Sequence, residues 1–400
     1  MVDLSVCSSR EEMIVALAER TGVLDAQNSS AWVLAHGARP ESWPDPAWPA
    51  RAELDEATAG RPCLAWCFDY HALVVNSAAA RASGIADGSP DPAGGLIGRD
   101  AEGRFTGLLL EAAALLAWNS VPEPSPAERR AHVRDALADL ASLGFTEVHD
   151  LKSQTWLGPV LAQLDDAGEL PCRVRLYPLV EDLPAVHTSR ADWERDSIRL
   201  AGGKIFTDGT LNSRTAWMLS PYADPIASHP AGTPMMSPAQ IDDAIRACDT
   251  LSLPLAAHAI GDASVRAVLD AIERIRPAAP GQRIEHAELI DEADIPRFAA
   301  LSVICSVQPC HLLTDIEALT RLLPHRLDRV LPLRELIDAG CTPGELLWFG
   351  SDTPIVRPNP EDSIQAATER RRPDMDAAES IAPAQAITPS EAWACFAPSN

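Results

Sequence analysis

LPLAAHAIGDASVRAVLDAIERIRPAAPGQRIEHAEL, running from Leu253 to Leu289, decides the fold. It reads as strand, helix, strand. The apolar run Leu253–Ala257 stops at His258, Gly261 breaks the strand, and Asp262 stands where a helix cap belongs. Val265, Val268, Leu269, Ile272 and Ile275 then recur at the spacing of one buried helix face. A loop with Pro277, Pro280 and Gly281 ends the helix, and the short strand Arg283-Ile284-Glu285 runs into His286. Both histidines therefore close a strand, one βα unit apart. In a parallel α/β barrel such strand ends lie side by side on the face that carries chemistry. Taken singly, each also reads as a histidine bonded to a backbone carbonyl. As a matched pair they read as two neutral imidazoles aimed at one metal ion.

Working outward, the same alternation continues on both sides. Strand candidates are Phe145–Asp150, Arg173–Val180, Arg199–Phe206, Leu253–His258, Arg283–His286, Val303–Gln308 and Leu346–Asp352, with helical patterns between most of them. Such alternation predicts a parallel sheet, and its length predicts a barrel rather than an open sheet. A helix opening at Ser125-Pro126-Ala127-Glu128 precedes the series, with a capping box and proline at its first position. Upstream, residues 10–20 read as a helix and Ala31–Ala35 as a short apolar stretch. Gly37–Pro62 reads as an irregular covering segment, and Cys63–Phe68 as a strand. Residues 84–104 read as a Gly/Asp/Pro loop and 107–118 as an apolar helix. Beyond about Arg372 no further strand is evident.

Composition narrows the function. Four hundred residues with 46% apolar content support a sizeable core. The formal net charge of −24 is spread along the chain, so nucleic acid and anionic membranes are excluded as partners. A small-molecule substrate is the partner that remains, and a homo-oligomer is compatible with the chain. The most apolar run, Leu108–Trp118, contains Glu111 and is too short to span a bilayer. No long apolar stretch opens the chain, so no signal peptide is expected. The nine scattered cysteines lack zinc-finger spacing and read as reduced thiols of a cytoplasmic protein.

The strand ends collect Asp150, Lys204, His258, His286, Gln308 and Asp352. Lys204 lies in a mostly apolar strand, where burial should push its pKa down. Three readings stay open for it: a structural partner of Asp208, a Schiff-base amine, or an amine that captures carbon dioxide and becomes an anionic metal ligand. Asp352, in FGSDTP, reads as an Asx turn before Pro354 or as a metal-facing carboxylate that takes a proton from water. No GxSxG elbow, Walker A loop or dinucleotide fingerprint is present.

These segments resemble the amidohydrolase superfamily, in particular its amidohydrolase 3 branch with N-substituted formamide deformylase-like members. The similar stretches are KIFTDGTLNSRTAWMLSPYAD from Lys204, LAAHAIGDASVRAVLDAIE around His258, RIEHAELIDEADIPRFAAL around His286, SVQPCHLLTD around His311 and FGSDTPIVRPNPEDSI around Asp352. DYHALVVNSAAARASGI and GRFTGLLLEAAALL look like the family's insertion between its first two barrel strands. The resemblance implies a metal-bearing (β/α)8 TIM-type barrel that hydrolyses carbon–nitrogen bonds of small amides. It implies His258 and His286 as metal ligands, Lys204 as a carboxylated ligand, and Asp352 as ligand and general base. His71, Arg214, Gln308 and His311 are implied as substrate contacts.

One departure stands out. Family members carry a His-x-His pair at the end of the first barrel strand, and no two histidines here are separated by one residue. The expected layout is an insertion or cap region over 1–143, barrel strands two to eight over 144–375, and a tail over 376–400. The barrel is expected to be incomplete, lacking its first strand and most of the small β-sandwich. One zinc or other divalent ion is expected, with no histidine pair for a second. Two rival readings remain: a family member that binds a small molecule without turnover, and a lyase working through a Schiff base on Lys204.

Overall fold

The computed structural model describes residues 1–396 except 41, 42, 46, 69, 71, 93, 94, 213, 226 and 228. Contacts divide the chain into two units, Met1–Ser125 and Pro126–Asn400. The division falls ahead of the helix Pro126–Ser142, whereas the sequence reading draws it behind that helix, at 143.

In the first unit the described strands are β1 (Val2–Asp3), β2 (Val33–Ala38), β3 (Cys63–Cys67), β4 (Ala72–Val75), β5 (Gly95–Arg99) and β6 (Phe105–Glu111). They form one sheet in the order β1-β2-β3-β4-β6-β5. The pairs from β1 to β3 are parallel and the rest antiparallel. Alternating residues of β3 serve two cores. Leu64 and Trp66 pack with Leu73, Val75 and Leu109, while Cys63 and Ala65 pack with Met13 and Leu17 of the helix Arg10–Ala26. Three sequence expectations change here. The first half of the expected helix 107–118 is strand β6, because Phe105, Gly107 and Leu109 are buried in alternation, a period of two. The expected loop 84–104 contains β5, whose Leu96 and Ile97 pair with Leu110 and Leu109. The covering segment 37–62 contains the helix Arg51–Ala57, opened by the Glu53 carboxylate accepting from the Ala50 N–H at 2.7 Å.

The second unit holds the parallel strands β7 (Glu147–Asp150), β8 (Arg173–Leu176), β9 (Ile198–Leu200), β10 (Gly203–Phe206), β11 (Leu255–Ala259), β12 (Arg283–His286), β13 (Ile304–Val307) and β14 (Leu347–Phe349). Parallel neighbours need long crossovers, and helices such as Leu157–Asp166, Leu183–Trp193, Pro238–Thr250 and Asp262–Ile275 supply them. The expected strand Arg199–Phe206 is two strands, interrupted at Ala201-Gly202. A Cβ on Gly202 would stand 2.6 Å from the Pro254 carbonyl and from the Tyr177 ring. A bridge between Leu179 and Lys204 carries the pairing across this break, joining β7-β8-β9 to β10-β11-β12-β13-β14. No described helix is long and apolar enough to cross a membrane.

Register and alternation give this sheet two chemically different faces. Ile205, Ala257, Ile284, Cys305 and Leu347 are register partners and sit in the main core. One residue further along, Phe206, His258, Glu285, Ser306 and Trp348 form the next register row. Alternation turns that row to the opposite face. A hydrogen-bonded chain crosses this polar face. Arg283 Nη1 donates to His149 Nδ1 at 2.8 Å, and His149 Nε2 donates to Glu147 Oε1 at 3.2 Å. The guanidinium also donates to Ser306 Oγ at 2.9 Å and lies between the Tyr177 and Trp348 rings, 5.3 and 5.2 Å from their centroids.

The long segment between β10 and the helix Pro238–Thr250 is pinned by buried acids. Asp208 accepts from the backbone N–H groups of Trp217 (2.9 Å), Ile260 (3.1 Å) and Gly261 (2.9 Å). Asp262 begins the helix Asp262–Ile275, and its cap residue is Gly261 rather than Asp262 as expected. The Asp262 carboxylate instead accepts from Leu219 N at 2.8 Å and pairs with Arg326 at 2.8 Å.

Two outcomes test this packing. A Cβ on Gly261 would stand 2.0 Å from the Trp217 carbonyl. Gly261→Ala should therefore cost about 1–3 kcal/mol, read as a lowered thermal midpoint; an unchanged midpoint would contradict the close approach. Hydrogen bonding to His149, then to Arg175 and Arg173, pulls the Glu147 carboxyl from 4.5 down to about 2. Its folded value lies below its unfolded one, so its contribution is complete above 4.5 and fades as pH falls toward 2. Glu147→Gln should lower the midpoint at pH 7 by an amount equivalent to about 1 kcal/mol. That deficit should shrink across the acid window, and a pH-independent deficit would rule the linkage out.

Candidate functional site

Strand β11 carries His258 to the polar face beside Phe206, with ring centroids 5.1 Å apart. His258 Nε2 donates to the Gly209 carbonyl at 3.1 Å and lies 3.5 Å from Asp208. Burial, followed by the nearby Lys204 charge, pushes its pKa down to about 3. His286 ends β12, where alternation alone would send it the way of Ile284. Left-handed backbone at His286 (φ 72°) and Ala287 (φ 42°) breaks the strand there, and the His286 ring lies 4.5 Å from that of His258. Non-glycine residues occupy this region at a cost of about 1–3 kcal/mol and cluster at functional sites. Burial, His258 and Lys204 together push the His286 pKa well below the usual value. Both rings are therefore neutral at pH 7. His286 Nδ1 is buried and has no hydrogen-bond partner among the described residues.

Lys204 stands on the same face in β10 and is 3% exposed. Burial pushes its amine down to about 8, against the pull of Glu285 and Asp352. Its Nζ sits 4.9 Å from the Phe206 ring centroid. The pairing with Asp208 weighed from sequence does not form: Asp208 spends its oxygens on backbone N–H groups, and burial raises its pKa to about 7.

His311 enters from the first turn of the helix Cys310–Leu322. Its Nδ1 lies 3.6 Å from Glu288 Oε1 and its Nε2 3.8 Å from Asp352 Oδ2. Burial opposes its charge, but the Glu288 contact and the Asp352 charge outweigh that and hold its pKa at about 9. Asp352 also has left-handed backbone (φ 55°). Its side chain remains 36% exposed, while burial around the carboxyl raises its pKa above the usual carboxylate value. Gln308, at the end of β13, donates weakly to the Ser306 carbonyl at 3.4 Å, and its Oε1 is buried without a partner.

The structure thus brings together Lys204, His258, His286, Gln308, His311 and Asp352. Arg214, with φ 57°, pairs with Asp224 at 2.9 Å. His71 lies outside the described residues. Two contributors, Glu285 and Glu288, escaped the sequence reading, and Asp208 entered it only as a partner of Lys204. Asp208 anchors the loops after β10 and β11. Glu285 pairs with Arg283, and neither of its carboxylate oxygens has a hydrogen-bond partner among the described residues. Glu288 is 7% exposed. Among the described residues, His286, Glu288 and His311 are the one group of three His, Cys, Asp or Glu donors lying within 4.8 Å of one another. The only available signal for Glu288 was its place two residues past His286.

Two neutral buried imidazoles, orphaned ring nitrogens and carboxylates close by suit a divalent cation chemically. Residues 1–399 match the amidohydrolase family model. YtcJ of Bacillus subtilis (strain 168), an amidohydrolase by name, is 30% identical over 379 residues, covering 92% of this chain and 69% of YtcJ. The N-substituted formamide deformylase of Arthrobacter pascens is 27% identical over 361 residues, covering 86% of this chain. This chain spans 65% of that deformylase's length. Among solved structures, an uncharacterized metal-dependent hydrolase from Pyrococcus horikoshii OT3 superposes with a TM-score of 0.78 at 24% identity, over 99% of this chain and 76% of its own. Its counterpart from Pyrococcus furiosus gives 0.75 at 25% identity, over the same shares of 99% and 76%. A family match that runs nearly from end to end, on a fold shared with both archaeal proteins, means that the chain belongs to the amidohydrolase family.

Proposed function

We propose that the chain is a metal-dependent hydrolase of carbon–nitrogen bonds in small non-peptide amides, of which N-formyl amines are the nearest class. The observation that carries this reading is the buried pair His258 and His286, uncharged and 4.5 Å apart at adjacent strand ends. The kinship with a formamide deformylase and with archaeal metal-dependent hydrolases supports it.

His258, His286, Lys204 and Asp352 would hold the ion, zinc or another divalent metal. When bound, it supplies Lewis acidity toward water and the amide carbonyl. Lys204 contributes through its lowered pKa. A neutral amine adds to carbon dioxide, an N–C bond forms and a proton leaves, which turns a buried cation into an anionic carbamate. Asp352, open to solvent on one side, accepts a proton from the attacking water and delivers it to the departing nitrogen. The products are then a carboxylic acid and a neutral amine. His311 and Gln308, beside Asp352 and His286, supply polar contacts that orient the amide.

Assays of the full chain with N-formyl and N-acetyl amines, supplied with zinc and bicarbonate, test the reading. Turnover should disappear with a chelator and return with zinc. Asp352→Asn should lower kcat by about 10²–10⁴-fold, the usual worth of a positioned acid–base group. Chelator-resistant turnover, or a wild-type kcat in Asp352→Asn, would refute it.

A further inference from the structure

We propose that His286, Glu288 and His311 form a second divalent-metal site, which shares His286 with the position that His258 and Lys204 would serve. The proposal rests on the reading above only in that the strand ends bind a metal.

The three side chains are 6%, 7% and 8% exposed. One donor atom from each lies within 4.8 Å of the other two. Ligands around a tetrahedral zinc ion stand roughly 3.4 Å apart, given bonds of about 2.0–2.2 Å. Closing the gap takes at most about 1.4 Å between any two donors. Two imidazoles and a carboxylate form a donor set that zinc accepts while keeping a fourth position open.

The cluster is incompletely satisfied by the protein itself. His286 Nδ1 and His311 Nε2 are buried with no hydrogen-bond partner among the described residues. Glu288 Oε1 approaches His311 Nδ1 only to 3.6 Å, beyond a good hydrogen bond. Buried polar atoms are normally paired, so two orphans on neighbouring rings, with centroids 6.0 Å apart, call for a missing partner. The backbone holds the three donors in place. Leu331 N donates to the Glu288 carbonyl at 2.8 Å, Leu289 N to the Ile260 carbonyl at 3.1 Å, and His311 N to the Gln308 carbonyl at 3.0 Å. Asp352 Oδ2, 3.8 Å from His311 Nε2, is the next donor outward. An ion here would sit where the proposed base opens to solvent, with His311 turned from substrate contact to ligand.

The full chain, stripped and reloaded with zinc alone or cobalt(II) alone, provides the test, read by metal content after gel filtration and by the cobalt absorption spectrum. Glu288→Gln and His311→Asn should each lose one ion per chain, or weaken its binding at least tenfold, and change the cobalt bands. Their apo thermal midpoints should stay near the wild-type apo value, which separates ligand loss from misfolding. His258→Ala should keep this ion. Wild-type metal content and cobalt bands in both Glu288→Gln and His311→Asn would overturn the proposal, and metal loss in His258→Ala alone would leave only the His258–Lys204 position standing. A wild-type chain that binds neither metal would overturn both readings.

Discussion

Parallel pairing in register is the constraint on which the site depends. When β10 to β14 run side by side in one direction, every strand delivers its last residue to the same edge. Alternation along each strand then sorts side chains by chemistry. Ile205, Ala257, Ile284, Cys305 and Leu347 join the core, while Phe206, His258, Glu285, Ser306 and Trp348 share the opposite face. A slip of one residue in any strand would exchange the two sets. The site is thus a consequence of register, with local backbone exceptions added. His286 and Asp352 are both such exceptions, and both adopt left-handed backbone.

Burial of polar groups explains the rest of the arrangement. Removing an imidazole from water favours its neutral form, which is the form that donates a lone pair to a metal. His258 and His286 are in that state. Arg283 is balanced differently, by Glu285, His149 and Ser306, and by the Tyr177 and Trp348 rings. The chain from Arg283 through His149 to Glu147 fixes which nitrogen of His149 carries the proton and ties β7 to β12 across the polar face. Orphaned atoms remain on Arg283 and Glu285 within this network and on His286 and His311 beyond it.

Much of this was legible in the amino-acid order. The Leu253–Leu289 stretch shows its strand, helix and strand openly, because Val265, Val268, Leu269 and Ile272 mark a helix and the histidines close two strands. Six of the seven strands expected after residue 144 form as single elements, Arg283–His286 with its expected bounds and the others with shifted or trimmed ends, and the seventh divides at Ala201-Gly202. β5 and β6 were hidden because Gly95, Gly107 and an alanine-rich continuation imitate a loop and a helix, and only pairing, of β6 with β4 and of β5 with β6, makes them strands. The anchoring role of Asp208 and the presence of Glu288 were overlooked for a related reason. An acid just past a strand end has no periodicity, and its role comes from groups distant in sequence, such as Trp217 for Asp208 and His311 for Glu288. Left-handed backbone at a histidine is equally silent in a sequence, since glycine is the residue that usually signals it.

The central claim is that uncharged, buried imidazoles at these strand ends hold a metal ion. Anomalous diffraction from crystals of the full chain grown with zinc, recorded on both sides of the zinc absorption edge, tests it most directly. The account predicts an anomalous peak about 2.0–2.2 Å from a ring nitrogen of His286. Zinc-loaded crystals with no such peak among His258, His286 and His311 would contradict it.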